Sequence, residues 1–256
     1  MTAGPLRITS RDNPLLQRLR KLSQDPGAYR KLGEVWLEGD HLCEALLARG
    51  GRPAQAVITD SAWQDGRLRP IAERAARVVL VPDPLFSQLS TLESAARIGF
   101  VLSRPPESGV QNGIASVVLD RVQDAGNVGS ILRSASALGC RQVIALKGTA
   151  SLWSPKVLRA GMGAHFALHL VEGLEAAQLS LDIPMIATSS HGSAALGGVA
   201  LPHPCAWIFG HEGQGVHNSL LARCELTVRI PQPGGEESLN VAAAAAICLY
   251  ESARRA

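Results

Sequence analysis

The sequence predicts an α/β protein of two units, the second built on a parallel sheet with helices on both faces. Three observations carry that prediction. Apolar runs of four or five residues recur along the 256-residue chain, bounded by Gly, Pro and polar residues, as short strands are. Between them lie segments with helical spacing, and this alternation, rather than segregation of strands from helices, favours parallel pairing. The polar, proline- and glycine-rich run Arg104-Pro-Pro-Glu-Ser-Gly-Val-Gln-Asn-Gly113 interrupts the alternation and reads as a linker.

In order along the chain, residues 12–22 place Leu15, Leu16, Leu19 and Leu22 at helical spacing behind Asn13-Pro14, a helix start. Val35-Trp-Leu-Glu38 is a strand, and residues 40–48 form a helix that Gly50-Gly51 closes. Residues 56–59, 78–81 and 98–102 read as further strands with short helices between them. The buried-type strand Ala115-Ser-Val-Val-Leu119 opens the second unit. Strands follow at residues 142–145, 167–171, 184–188, 206–209 and 226–230, with helices near 129–138, 155–160, 174–179 and 238–253. The division expected is residues 1–105, a linker at 106–113, and residues 114–256.

Composition narrows the functional classes. Apolar residues make up 46% and charged residues 18%, so a buried core is expected rather than disorder. Aromatics at 4% argue against a single-strand binder built on stacking platforms. The five cysteines are scattered and never form CxxC, which points to a reducing cytoplasm rather than a disulfide framework. The longest apolar run, residues 241–250, is too short to span a bilayer. The net charge of +3 is unevenly spread, with 15 Lys and Arg against 11 Asp and Glu in residues 1–105. Arg7, Arg11, Arg18, Arg20, Lys21, Arg30 and Lys31 face only Asp12 and Asp25, which is either a polyanion footprint or a solvated helix face.

Three glycine-bearing segments carry the chemistry. Asp120-Arg-Val-Gln-Asp-Ala-Gly-Asn-Val-Gly-Ser-Ile-Leu-Arg133 follows a strand and enters a helix, yet its glycines are not GxGxxG. No acidic residue stands between Asp124 and Glu172 to hold a ribose, so a nicotinamide-dependent dehydrogenase is disfavoured. Arg133 sits one helical turn past Gly129, able to project toward the loop of Asn127. Ile208-Phe-Gly-His-Glu-Gly-Gln-Gly-Val216 sets three glycines around Glu212, permitting a ligand close to bare backbone. His211 there is a solvated loop histidine before it is a general base. Ile230-Pro-Gln-Pro-Gly-Gly-Glu-Glu-Ser-Leu-Asn240 turns irregularly into an alanine-rich helix, with Ser238 as its expected N-cap. His165 and His169 are four apart in a predicted strand without a third ligand, so no metal site is expected. No cysteine lies inside the three segments, so a catalytic cysteine is not expected either.

NxGxxxR, then a strand ending in GHEGxG, then IPxxGGxESLN before an alanine-rich helix resembles the SpoU (TrmH-like) branch of the SPOUT RNA methyltransferases, over residues 114–252. Val35-Trp-Leu-Glu-Gly-Asp-His-Leu-Cys-Glu-Ala-Leu46 is similar to the ribosomal protein L30e-like substrate-binding domain of that family. The resemblance implies an N-terminal RNA-binding domain and a C-terminal domain with a deep trefoil knot, an exception to the rule that chains avoid knots. It implies S-adenosyl-L-methionine as cofactor, held near Thr188, Gly210, Ile230 and Leu239, and a homodimer through the knotted domain. It implies methyl transfer to a ribose 2′-hydroxyl of structured RNA, ribosomal RNA of the 23S type first and transfer RNA second, in the cytoplasm.

The residues implied to carry the chemistry are Arg133, Asn127, Glu212, Ser238 and Asn240. Because a guanidinium keeps its proton at neutral pH, Arg133 is expected to bind the adjacent RNA phosphate and orient the nucleophile rather than act as base. Asn127, Ser238 and Asn240 would hold Arg133 and the ribose, and Glu212 would position Arg133 or a partner loop. The competing class is an RNA-binding protein that keeps the fold without the chemistry; the presence of all five residues argues against it. The chain departs from the family at Ala125, where proline is common, and at Arg159-Ala-Gly-Met-Gly163, where the family tends toward Arg-x-Ser-x-Gly.

Overall fold

The computed structural model describes residues 4–90, 94, 96–234 and 238–255, and the chain divides into two compact units. The first comprises residues 1–106 and Trp153–Phe166; the second comprises Glu107–Leu152 and Ala167–Ala256. Residues 153–166 therefore cluster apart from the sequence around them.

The first unit contains β1 (Leu6–Arg7), α1 (Pro14–Gln24), α2 (Ala28–Leu32), β2 (Glu34–Glu38), α3 (Asp40–Ala48), β3 (Gln55–Thr59), α4 (Asp60–Trp63), α5 (Leu68–Ala72), β4 (Arg77–Val81), α6 (Asp83–Ser87) and β5 (Ile98–Ser103). Its sheet is mixed, in the order β1-β4-β3-β5-β2, with β5 antiparallel to both neighbours. Helix α1 starts where expected: Asn13 Oδ1 accepts from the Leu15 amide at 2.9 Å, and Pro14 occupies the first turn, where no N–H is needed. Leu16, Leu19, Leu37, Ile58, Phe86 and Phe100 form the core. Gly99 is required opposite Glu38, because a Cβ there would come within 2.2 Å of the Trp36 ring.

The second unit contains β6 (Ser116–Leu119), α7 (Ala125–Ala137) and β7 (Gln142–Leu146). After the excursion of α8 (Pro155–Gly161) into the first unit come β8 (His169–Leu174), β9 (Met185–Thr188), β10 (Ala194–Ala195), β11 (Ala206–Phe209), α9 (Asn218–Leu221), β12 (Leu226–Arg229) and α10 (Val241–Arg255). All pairings are parallel, in the order β10-β12-β9-β11-β6-β7-β8. β11 thus lies between β9 and β6, strands that precede it in the chain.

Strand alternation gives the sheet two apolar faces. Trp207 and Phe209, stacked at 6.2 Å, point to the side of α10, whose Ser252 hydroxyl accepts from the Trp207 indole at 2.8 Å. Ala206 and Ile208 join Val118, Ile144, Ala187, Leu179 and Leu220 in a separate buried cluster. Helices therefore cover both faces, as a parallel sheet demands.

Some expectations shift. The sequence does not predict β1, β10, α2 or α9; each is five residues or fewer and carries too few positions to show a period. The helix expected at 174–179 is a single 3₁₀ turn at Ala176–Gln178. α7 begins at Ala125 rather than Gly129, because Asp124 accepts from the Asn127 amide and starts the helix a turn earlier.

Candidate active site

The C-terminal ends of β6, β11 and β12 lead into the three motif segments, the edge where open parallel sheets carry their sites. Asn127 lies in the first turn of α7. Its Nδ2 donates to Glu212 Oε1 at 3.2 Å, and its Oδ1 accepts from Asn240 Nδ2 at 3.0 Å. One amide thus joins the other two motifs, each residue coming from a different segment.

Glu212 is committed to the first motif. Its carboxylate accepts from the Gln123 amide at 3.2 Å, the Asp124 amide at 3.1 Å and Asn127 Nδ2. Burial pushes its pKa up, but these donors more than offset that and leave it below the usual carboxylate value. Glu212 is expected to position Arg133 or a partner loop; among the described residues it makes no bond to Arg133 and is held by these three first-motif donors.

Arg133 is exposed, on the outward stripe of α7 with Gly126, Ser130 and Ala137. Its guanidinium makes no hydrogen bond or ion pair with any described residue. The structure therefore places it on the same helix as Asn127 without joining the two.

The cap of α10 is corrected. The helix starts at Val241, and Asn240, not Ser238, caps it: Asn240 Oδ1 accepts from the Ala242 and Ala243 amides at 2.9 and 3.2 Å. Ser238 is exposed two residues before the cap, and Leu239 is 40% exposed. Residues 235–237 of the third segment lie outside the described residues.

The expected cofactor contacts stand at neighbouring strand ends. Thr188 ends β9 and donates to the Ile208 carbonyl at 3.4 Å; Gly210 follows β11; Ile230, half-buried, follows β12. Gly210 admits no side chain, for a Cβ would lie 2.1 Å from the Gly215 carbonyl carbon. The hairpin that crosses it is closed by paired bonds between His211 and Gly215. His211 Nδ1 accepts from the Gly213 and Gln214 amides at 3.0 and 3.2 Å, so this nitrogen shapes the loop instead of taking a substrate proton. Among the described residues no group of three His, Cys, Asp or Glu is placed to hold a metal, and no helix is long and apolar enough to cross a membrane.

Sequence reasoning missed Asp120 and Arg121. Asp120 is 2% exposed and accepts from Arg121 Nε at 3.0 Å, Arg121 Nη2 at 3.2 Å and the His217 amide at 2.7 Å. An acidic residue closing a buried strand was the available signal, because such a charge needs partners.

The chain matches the SpoU rRNA Methylase family over residues 115–250. It is 32% identical, over its full length and 96% of the relative, to a Synechocystis sp. protein named "Uncharacterized tRNA/rRNA methyltransferase". It is 28% identical, over 99% of its length and 94% of the relative, to the 23S rRNA (uridine(2479)-2′-O)-methyltransferase of Streptomyces viridochromogenes. Among solved structures it resembles the SpoU methyltransferase AviRb of Streptomyces viridochromogenes in complex with AdoMet. The TM-score is 0.85 at 25% identity, covering 95% of this chain and 98% of that one. The AdoMet-bound rRNA methyltransferase of Sinorhizobium meliloti gives a TM-score of 0.80 at 26% identity, covering 97% of each chain.

Proposed function

From membership of the SpoU rRNA Methylase family, to which this chain belongs, we propose that it moves a methyl group from S-adenosylmethionine to a ribose 2′-hydroxyl of structured RNA. Ribosomal RNA of the 23S type is the first substrate, in line with the names of the similar bacterial enzymes, and transfer RNA the second. The observation that carries the reading is the Glu212–Asn127–Asn240 chain, which brings one residue from each separate motif to one place.

The cofactor reading is supported by the arrangement of the strand ends. Thr188 ends β9, Gly210 and Ile230 follow the neighbouring strands β11 and β12, and bare backbone is enforced at Gly210. With the exposed Leu239 they would hold S-adenosylmethionine, which supplies a methyl group on a positively charged sulfur. Arg133, having no partner among the described residues, is assigned the RNA phosphate next to the target ribose; as a fixed cation it orients the 2′-hydroxyl. Asn240 and Ser238 are assigned the ribose hydroxyls, with Glu212 keeping Asn127 in register. The insertion of β11 between β9 and β6 suits a chain threaded through its own loop.

The active form is proposed as a homodimer in the cytoplasm. Ile247, 41% exposed, and Tyr250, 60% exposed, lie with Ala243 on one outward stripe of α10, apolar surface that a second copy would cover. Light scattering on Ile247→Glu should show a monomer where the parent is a dimer.

The direct test is transfer of labelled methyl from S-adenosylmethionine to RNA prepared from cells lacking the protein, followed by mapping of 2′-O-methyl positions. Label in 23S-type RNA is expected. No cofactor binding at millimolar concentration, by calorimetry, would sink the enzyme reading in favour of an RNA-binding protein of the same fold.

A further inference from the structure

Arg121 has a backbone φ of 58°, a left-handed conformation that glycine adopts freely and an L side chain rarely does. Such an outlier persists only where its surroundings fix it. Here they do. The Arg121 amide donates to Thr149 Oγ1 at 3.1 Å, and that hydroxyl donates to the Leu119 carbonyl at 2.9 Å. The guanidinium grips buried Asp120 through Nε and Nη2, and its Nη1 reaches Gln214 Oε1 at 2.9 Å. Nη2 also lies 3.5 Å from the Gly215 carbonyl. The side-chain stem passes over Gly148, where a Cβ would stand 3.0 Å from Arg121 Cγ.

One residue therefore touches the loops after three adjacent strands, β11, β6 and β7. Gly215 is the residue whose backbone crosses Gly210, the proposed cofactor contact. Asp120 adds a second hold on the same loop through the His217 amide.

We propose that Arg121, locked by Asp120, is a positioning residue that fixes the loop between His211 and His217 and thereby sets the backbone at Gly210 against the cofactor. The proposal rests on the methyltransferase reading for the cofactor's identity, but not for the loop's order. A guanidinium fork suits the task, because it can hold the Asp120 carboxylate with two N–H groups and still reach Gln214. Lysine offers one ammonium nitrogen, which cannot reproduce the two-nitrogen grip on the Asp120 carboxylate.

The test compares the parent enzyme with Arg121→Gly, Arg121→Lys and the double variant Asp120→Asn/Arg121→Gly. Glycine relieves the backbone, and the double variant removes the uncompensated buried carboxylate, so at least one variant should fold. Arg121→Gly is expected to raise the Kd for S-adenosylmethionine about tenfold, the fold-change of one charge-assisted hydrogen bond. Its effect on kcat at saturating cofactor should be smaller, and Arg121→Lys should recover only part of the loss. Amide hydrogen exchange, read without ligand, should quicken at residues 213–217 in both glycine variants. Unchanged exchange there, or a parent-like Kd in the folded glycine variants, would overturn the role of Arg121. Failure of the parent protein to bind the cofactor, with exchange quickened as expected, would overturn the methyltransferase reading and leave the loop assignment standing.

Discussion

Helices α7 and α10 both begin at the site, but their first turns are closed by different chemistry. The N-terminus of α7 receives two carboxylates: Asp124 on the Asn127 amide, and Glu212 on the Gln123 and Asp124 amides. The N-terminus of α10 receives one neutral amide, Asn240, on Ala242 and Ala243. A helix start carries roughly half a positive charge, so among the described residues α7 is neutralised there and α10 is not. The asymmetry teaches where an RNA phosphate has room. It meets like charge at the start of α7, and positive charge at Arg133 farther along or at the start of α10, where the described cap is a neutral amide.

The severest way to break this comparison is Arg133→Ala. If the phosphate is held away from the start of α7, methyl transfer should fall by at least about a hundredfold, the cost typical of losing a charged group that acts in the transition state. Cofactor affinity and thermal stability should stay near the parent values, since this guanidinium bonds to no described residue. Transfer persisting within a few fold would show that the helix start, not Arg133, meets the anion.

Asn240→Asp makes the two helix ends alike. The carboxylate keeps the cap, so the melting temperature should hold. It loses the donor to Asn127 and adds an anion, so transfer should fall about tenfold, the worth of one such bond. Parent-like transfer would remove the charge asymmetry from the account.

A pH series on Glu212→Gln sharpens the α7 side. The folded-state pKa of Glu212 lies below its ordinary value, so its contribution is present above that ordinary value and lost as pH falls through the depressed one. The parent should melt higher than the variant at neutral pH, and the gap should close in acid. A gap that is constant with pH would assign the effect to packing.

The smallest effect is expected from thiol alkylation. Burial pushes Cys140, just past α7, and Cys248, within α10, up to about 12. At neutral pH both stay protonated, and brief iodoacetamide treatment should leave transfer unchanged. Rapid inactivation would mean that these helices open more than their packing suggests.

Much of this was legible in the chain. Short runs such as Ser116–Leu119 and Ala206–Phe209 read as strands because burial on both faces keeps them almost wholly apolar. Motif order singles out Asn127, Glu212 and Asn240, whose side chains the structure joins by hydrogen bonds. What stayed hidden depends on bonds between distant loops. Nothing local distinguishes Asn240 from Ser238 as a cap; the choice follows from where the chain first turns helical. Arg121 reads as an ordinary loop arginine until Asp120, Thr149 and Gln214 surround it. Likewise, nothing near Trp153–Phe166 announces that it clusters with the first unit.

The position of β11 has a consequence for how the molecule comes to exist. Ala206 pairs with Ser116 on one side and Met185 on the other, so the strand must slot between neighbours that precede it in synthesis. Its contacts join chain segments far apart, and closing long loops before any pairing is gained slows folding. Until β11 arrives, β6 and β9 each present an open strand edge to other chains. The slow step of maturation, and the moment of greatest exposure to aggregation, should therefore fall on the segment that carries Gly210 and Glu212. A newly made chain would complete its active site last.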